Sequence, residues 1–144
     1  MQQRRALKIR YTPKIGDIYS VRFEGHGCEQ AGVRPAMIFS NNIGNIYSPN
    51  VTVLPITSKL KKTDQPTHVV VSASDTGLIT DSMILCENPV CISKDRLGMY
   101  LTKTPMNYMS EIAEASILAS GGIAFIDPSK LEYLWSRAAA MNSI

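Results

Sequence analysis

The chain has 144 residues, enough for one domain with a single hydrophobic core. With 44% hydrophobic and 19% charged residues it has the composition of an ordinary globular protein, which excludes an intrinsically disordered chain. Its net charge of +3 is compatible with a nucleic-acid partner without requiring one, and no apolar run approaches the ~20 residues of a membrane span.

The first segment of the chain is basic. No apolar run follows its positive residues, as a secretory signal peptide would require. Residues 1–13 are therefore predicted to form an arm that is either solvated or in contact with phosphate. The positive residues that precede the first acid, Asp17, are Arg4, Arg5, Lys8, Arg10 and Lys14.

Short apolar segments rich in β-branched residues come next, and turn-forming sequences separate them. Many short strands at close spacing are typical of a small barrel or sandwich, so the fold is predicted to be mainly β. The predicted strands are Asp17–Phe23, Ala36–Ser40, Val51–Thr57, His68–Ala73, Ser82–Glu87 and Val90–Ser93.

Helical patterns appear late in the sequence. Apolar residues at helical spacing predict a helix from Asn107 to Ser120, which Gly121 would end. A second helix is predicted after Asp127, a good N-cap with proline behind it. Its apolar stripe suits packing on the chain's own core, or on a dimer mate or another partner. The stripe consists of Leu131, Leu134, Trp135, Ala138 and Met141.

The histidines and cysteines give little indication of a metal site or a disulfide framework. The two histidines, His26 and His68, are far apart and have no carboxylate at ligand spacing, which argues against a metal site. The cysteines, Cys28, Cys86 and Cys91, are odd in number and form no C-x-x-C pair. Neither a disulfide framework nor a zinc knuckle is expected, and the cytoplasm is the simplest compartment.

Arg34 and Thr57 are the candidate catalytic residues. RNA carries its own nucleophile, the 2′-hydroxyl, so an enzyme that uses it needs donors for the charge on the phosphate and a group that passes a proton. An arginine fork meets two phosphate oxygens and stays charged, and a threonine hydroxyl adds a donor. The two side chains would meet if the strand at Arg34 and the strand ending at Thr57 are neighbours.

Several short motifs occur in order along the chain. They are G-D-I-Y in the first strand, E-Q-x-G-x-R-P before the second, I-G-N and S-P in the next loop, I-T-S at the end of the third strand, then P-T-H and D-S-x-I-L-x-E. Together with the segment Ile92–Leu97, they run from about Lys14 to about Ala119. This ordered set resembles the MazF/PemK family of toxin endoribonucleases.

The resemblance implies a mainly β (α+β) fold, a small SH3-like β-barrel of the CcdB/MazF type with flanking helices, working as a homodimer. It implies the toxin of a type II toxin–antitoxin system, which cleaves single-stranded mRNA at short motifs and so inhibits translation and growth. Cleavage would need no metal or other cofactor and would leave a 2′,3′-cyclic phosphate and a 5′-hydroxyl. The protein partner would be a MazE-like antitoxin whose acidic, apolar tail blocks the RNA groove.

The resemblance also implies roles for single residues. The R-P arginine corresponds to Arg34, which would hold the scissile phosphate and either donate the proton or only stabilise charge, and the I-T-S threonine corresponds to Thr57. His68 in P-T-H is expected to be structural. Polar loop residues are expected to contact the exposed edges of single-stranded bases or the RNA backbone. They are His26, Glu29, Gln30, Ser58, Lys59, Glu87 and Asn88, the last replacing a glutamine that is frequent in the family.

Finally, the resemblance divides the chain into a basic arm (1–13), an endoribonuclease domain (14–120) and a C-terminal helical extension (121–144). One alternative is a non-enzymatic, CcdB-like toxin that inhibits DNA gyrase with the same scaffold. The apolar stripe after Asp127 favours that alternative, whereas the paired motifs around Arg34 and Thr57 favour the nuclease.

Overall fold

A computed structural model describes residues 12–25 and 32–144. The strands are β1 Asp17–Phe23, β2 Gly32–Ile38, β3 Asn50–Thr57, β4 His68–Val71, β5 Ser82–Leu85, β6 Val90–Ser93 and β7 Leu97–Lys103. The α-helices are α1 Asn42–Tyr47, α2 Ala73–Thr76, α3 Met106–Ser120 and α4 Leu131–Asn142. Short 3₁₀ helices lie at Lys94–Arg96, Gly122–Phe125 and Pro128–Lys130.

The described strands form one antiparallel sheet in the order β4-β5-β3-β2-β1-β7, and β6 also pairs with β3. Strand β3 is the longest and pairs with three others: with β2, with β6 through its first half and with β5 through Ile56 and Thr57. The prediction of a mainly β fold with flanking helices is confirmed. None of the described helices has both the length and the apolar character needed to cross a membrane.

The prediction of a closed barrel is wrong for the part of the chain that the structure describes. Strands β4 and β7 lie at the two ends of the sheet, and no pairing joins them. Helix α2, which follows β4 in the chain, links the two ends instead. The Thr102 hydroxyl in β7 donates a hydrogen bond of 2.7 Å to the Thr76 carbonyl at the end of α2. Helix α3 adds a second link, since the Tyr108 hydroxyl donates to the Asp75 carboxylate at 2.6 Å.

The sheet buries side chains on both faces, and the two faces hold separate core clusters. One core cluster is covered by α3, which contributes Ile112 and Ala115 to it. The members from the sheet are Ile18, Met37, Leu54, Ile56, Val69, Val71, Ile84 and Cys86. The second cluster, on the opposite face of β1, β2 and β3, comprises Tyr19, Val21, Phe23, Ala36, Ile38, Val51, Val53 and Ile92.

The C-terminal segment is built differently. Helix α3 agrees with the predicted helix and ends at Gly121, which adopts the left-handed conformation that glycine tolerates. In α4 no residue is buried, and Trp135 is 72% exposed. The described hydrogen bonds of α4 to the rest of the fold are made by Asn142, whose side-chain oxygen accepts from the Asn42 backbone N–H at 3.1 Å and whose carbonyl accepts from Asn42 Nδ2 at 3.2 Å.

Two α-helices and one strand among the described elements were not predicted. Helix α1 lies where the asparagine-rich sequence suggested a turn; Asn41 is its N-cap, and the side-chain oxygen accepts from the Gly44 N–H at 2.9 Å. Helix α2 is a single short turn after β4. Strand β7 pairs with β1 although its side chains are largely exposed, and its approach to β1 requires Gly98, where a Cβ would collide with Ser20.

Candidate functional site

Arg34 and Thr57 lie at the same end of two neighbouring strands. Strands β2 and β3 are antiparallel, with Ala36 paired to Pro55 and Met37 to Leu54. Continuing this register by two residues sets Arg34 opposite Thr57. Directly opposite residues of an antiparallel pair share a face, so both side chains lie on the same side of the sheet. The condition that the two strands be neighbours is therefore met.

Pro35 explains why the β2–β3 ladder ends just before this pair. The Phe39 N–H, just after β2, donates to the Thr52 carbonyl of β3, so the backbone N positions 39, 37 and 35 face β3. Pro35 has no N–H and cannot donate the next ladder bond. The last paired residues of β2 and β3 are Ala36 and Pro55. Beyond them the strand ends are held from their outer sides, β2 by β1 and β3 by β5. Arg34 and Thr57 thus flank the open end of an interrupted ladder.

Arg34 is half-buried, and strand pairing with β1 holds its backbone in place. It pairs with Val21 of β1 and lies two residues from the buried Ala36, so it shares the face of the second core cluster. Within the described residues its guanidinium makes no hydrogen bond or ion pair. An anchored strand with an unengaged guanidinium is suited to receiving an anion such as a phosphate.

Thr57 is also half-buried, and its hydroxyl is oriented by the next turn. The Lys59 backbone N–H donates to Thr57 Oγ1 at 3.1 Å. This bond occupies one lone pair of the oxygen and leaves the hydroxyl hydrogen available as a donor. On its other side Thr57 pairs with the buried Met83 of β5, which fixes the position of its backbone.

A basic, exposed segment follows Thr57. Residues 58–67, here called the lysine loop, begin with the predicted RNA-contacting residues Ser58 and Lys59, both exposed. Lys61 and Lys62 are exposed as well. Three lysines within four positions directly after Thr57 raise the local positive potential, which attracts a polyanion.

Glu87 and Asn88 lie in the turn between β5 and β6, residues 86–89. Glu87 Oε1 contacts His68 Nε2 at 2.7 Å, and the two side chains are 29% and 8% exposed respectively. The Asn88 backbone N–H donates to the Leu85 carbonyl at 3.2 Å and closes the turn, while its side chain is half-buried. The structure thus brings Glu87 into contact with His68.

The remaining predicted RNA-contacting residues, His26, Glu29 and Gln30, lie outside the described residues. The contact that sequence reasoning missed is the one between His68, Glu87 and the lysine loop. His68 Nδ1 contacts the Lys62 carbonyl oxygen at 2.9 Å. The P-T-H motif marked His68, but no spacing rule could identify partners 6 and 19 residues away.

The described residues show little sign of another catalytic group. Burial raises the pKa of the Cys86 thiol to about 11, so it stays protonated and is a poor nucleophile near neutral pH. Among residues 12–25 and 32–144, no three His, Cys, Asp or Glu side chains cluster as metal ligands do. The Arg34–Thr57 pair is therefore the strongest candidate within this part of the chain.

Comparison with known proteins agrees with this fold. Residues 14–118 match the family model of the PemK-like, MazF-like toxins of type II toxin–antitoxin systems. Endoribonuclease EndoA of Bacillus subtilis is 39% identical over 103 residues, which cover 71% of this chain and 89% of that protein.

Solved structures give the same result. An endoribonuclease in complex with its cognate antitoxin, from a mycobacterial species, is 29% identical with a TM-score of 0.64, over 76% of this chain and 95% of that one. MazF from Deinococcus radiodurans, 24% identical, shares the fold with a TM-score of 0.67, over 78% of this chain and 99% of that one.

The fold and these matches define a toxin of the type II toxin–antitoxin class. The chain belongs to the PemK-like, MazF-like toxin family.

Proposed function

We propose that this MazF-type toxin is an endoribonuclease that cleaves single-stranded RNA with Arg34 and Thr57 as its catalytic residues. The observation that carries the proposal is the β2–β3 register, in which these two donors face each other beyond the last ladder pair. The curated relatives with 38–39% identity are named as endoribonucleases, which supports the same activity.

The chemistry follows from the two donors. The 2′-oxygen of RNA attacks the adjacent phosphorus, the bond from phosphorus to the 5′-oxygen breaks, and a 2′,3′-cyclic phosphate and a 5′-hydroxyl result. The 2′-hydroxyl proton passes to water as the new bond forms. The departing 5′-oxygen receives one proton, either from Arg34, which then regains it from solvent, or directly from water, so protons balance overall. The Arg34 guanidinium holds two phosphate oxygens and stabilises the added charge, and the Thr57 hydroxyl donates to the same group.

The steps need no external nucleophile, and each donor is a side chain of the protein. We therefore infer cleavage without a metal ion or organic cofactor. Arg34 is proposed either to donate the proton to the leaving oxygen or only to stabilise the charge on the phosphate.

RNA binding is assigned to the polar loops around this pair. Ser58 and Lys59 follow Thr57 directly and are exposed, which suits contact with the RNA backbone. Of the two turn residues predicted to contact RNA, Asn88 is proposed to border the bases and Glu87 to support it from within the turn. His26, Glu29 and Gln30 are proposed to complete the site. Single-stranded bases offer hydrogen-bonding edges that such polar side chains can recognise.

The proposal includes an assembly. A mycobacterial relative was solved in complex with its cognate antitoxin, which supports an antitoxin partner for this chain that covers the RNA groove. We propose that the toxin works as a homodimer in the cytoplasm. The endoribonuclease domain is residues 14–120, between the basic arm 1–13 and the helical extension 121–144.

The test compares two arginines of the same sheet end. The protein is incubated with long single-stranded RNA in the presence of EDTA, beside the variants Arg34→Ala and Arg22→Ala. Arg22 pairs with Val33 of β2, is exposed and lies on the opposite face from Arg34, so it is a matched control. We expect cleavage by the parent and by Arg22→Ala, and a loss on the order of 100-fold or more in Arg34→Ala.

Two outcomes would contradict the proposal. One is absence of cleavage by the parent, above all if the protein instead binds and inhibits DNA gyrase. The other is equal cleavage by the parent and Arg34→Ala.

A further inference from the structure

His68 joins two segments that are far apart in sequence. It is the first residue of β4, and its side chain is 8% exposed. One ring nitrogen, Nδ1, contacts the Lys62 carbonyl oxygen at 2.9 Å, and the other, Nε2, contacts Glu87 Oε1 at 2.7 Å. Both partners are acceptors. A protonated ring donates both hydrogen bonds, whereas a neutral ring can donate only one.

The contact at Lys62 fixes the shape of the lysine loop. Lys62 has a φ of 53° and is the one non-glycine residue with positive φ among those described. For a residue with a Cβ this left-handed conformation costs about 1–2 kcal/mol, so it persists only where contacts favour it. Two contacts meet at its carbonyl, one from the Gln65 N–H at 3.1 Å and one from the His68 ring.

The contact at Glu87 fixes the turn between β5 and β6. Glu87 Oε1 is held by His68, and Glu87 Oε2 is buried without a hydrogen-bond partner among the described residues. Neither oxygen is therefore well placed to receive a base. The next residue, Asn88, donates its N–H to the Leu85 carbonyl and closes the turn, so Glu87 and Asn88 belong to one short turn.

The sheet register puts His68 on the face of the catalytic pair. Val70 pairs with Met83, Met83 pairs with Thr57, and directly paired residues share a face. His68 lies two residues from Val70 on β4 and so points to the same side. His68 therefore lies two strands across from Thr57 and one row of side chains along the strands.

We propose that His68 is a positioning residue for RNA: through its two ring nitrogens it fixes the lysine loop and the 86–89 turn at one spacing on the catalytic face. Glu87 is the internal partner of His68, and Asn88 and the lysines are the groups offered to RNA. This inference rests on the proposed endoribonuclease function. It gives His68 no part in proton transfer at the scissile phosphate.

The first test needs no RNA. Amide hydrogen exchange is measured on the full-length protein and on His68→Phe, which keeps a ring but removes both contacts. The amides of Gln65 and Asn88 report the lysine loop and the turn, because Gln65 donates to the Lys62 carbonyl and Asn88 donates to the Leu85 carbonyl at the end of β5. We expect exchange at both to become about tenfold faster. The Gly121 amide, bonded to the Ile117 carbonyl at the end of α3, should not change.

The second test measures kinetics on single-stranded RNA. We expect His68→Phe to raise KM about tenfold with little change in kcat, since misplaced loops weaken binding before and during the reaction alike. Glu87→Ala should behave like His68→Phe, and Glu87→Gln should stay close to the parent, because its side-chain oxygen still accepts from the ring. Gln65→Ala is the control: it loses only a bond to Thr67 within the same loop.

The outcomes separate this inference from the function on which it rests. Absence of RNA cleavage by the parent would refute the endoribonuclease, while the exchange data would still test the link between loop and turn. Faster exchange at one segment alone, or at neither, would overturn the link. A fall in kcat at unchanged KM would mean that His68 acts at the reacting group. If His68→Phe unfolds, His68→Gln, which keeps one donor, replaces it with a smaller expected effect.

Discussion

The family-matched part of the chain and its C-terminal extension use apolar residues in opposite ways. In the sheet, residues such as Ile38 and Ile84 are fully buried on one face or the other. In α4 the apolar residues are exposed, with Trp135 72% accessible, although they follow the same helical spacing that buries one side of α3. An amphipathic pattern thus identifies a helix but does not tell what covers its apolar side.

The sharpest contrast is expected in stability. Ile38→Ala removes a side chain from the second core cluster and should lower the free energy of unfolding by about 2–5 kcal/mol. Leu134→Ala, at a residue 41% exposed in α4, should change it by no more than about 0.5 kcal/mol. Urea unfolding of both variants at the same protein concentration measures the difference. Equal losses of unfolding free energy in the two variants would contradict this difference and show that α4 is covered in solution.

The rate of RNA cleavage should likewise depend on residues of the sheet and not on residues of the C-terminal extension. Thr57→Val keeps the shape of the side chain but removes its donor, so RNA cleavage should slow on the order of 100-fold. Thr57→Ser should recover much of the rate because it keeps the hydroxyl. Ser129→Ala removes a hydroxyl from the extension that bonds only to Asp127 in the described structure, and it should leave the rate within about twofold. A slow Thr57→Ser would imply that packing, rather than the hydroxyl, matters.

The attachment of α4 should be weak but measurable. Asn142→Ala deletes the acceptor for the Asn42 backbone N–H and should reduce stability by about 1 kcal/mol. Ser143→Ala, whose hydroxyl bonds within α4 to the Ala140 carbonyl, is the neighbouring control and should have a smaller effect. Truncation after Gly122 should lower stability or change the oligomeric state in sedimentation. If it alters neither, α4 packs neither on its own protomer nor on a dimer mate.

The smallest effect is expected where α2 links the two ends of the sheet. Hydrogen bonds from Tyr108 and Ser72 lower the pKa of the Asp75 carboxyl below its ordinary value of 3.8. A lowered pKa in the folded state adds stability above pH 3.8 that is lost as the pH falls through the folded value. Tyr108→Phe should therefore be less stable than the parent at pH 6, and the gap should narrow below pH 3.8. A gap that does not depend on pH in urea titrations would contradict this assignment.

The sequence predicted the buried strands well because burial leaves a clear pattern. Strands β1 and β6 were predicted with the observed limits, and β3 and β5 nearly so. Strand β7 was not predicted, because its exposed residues, such as Met99 and Tyr100, show no alternation of apolar and polar side chains. Helix α1 was not predicted, because its asparagines resemble turn residues. In the fold, Asn41 caps the helix and the Asn45 side chain donates to the Ser40 carbonyl.

The candidate site was predictable only in part. The motifs identified Arg34 and Thr57, but their proximity depends on strand order and register, which local spacing does not encode. The His68 contacts could not be predicted for the same reason, since one partner is a backbone carbonyl and the other lies in a different turn. The two ends of the sheet are linked through α2, whose single turn has too few residues for a periodic signal.

The central claim is that Arg34 and Thr57 act together on one phosphate. The most direct measurement is the rate of RNA cleavage under saturating protein for the parent, Arg34→Ala, Thr57→Val and the double variant. If both donors serve the same group, their effects are not additive, and the double variant should be no more than a few-fold slower than Arg34→Ala alone, about threefold at most. A double variant whose loss equals the product of the two single losses would contradict the account.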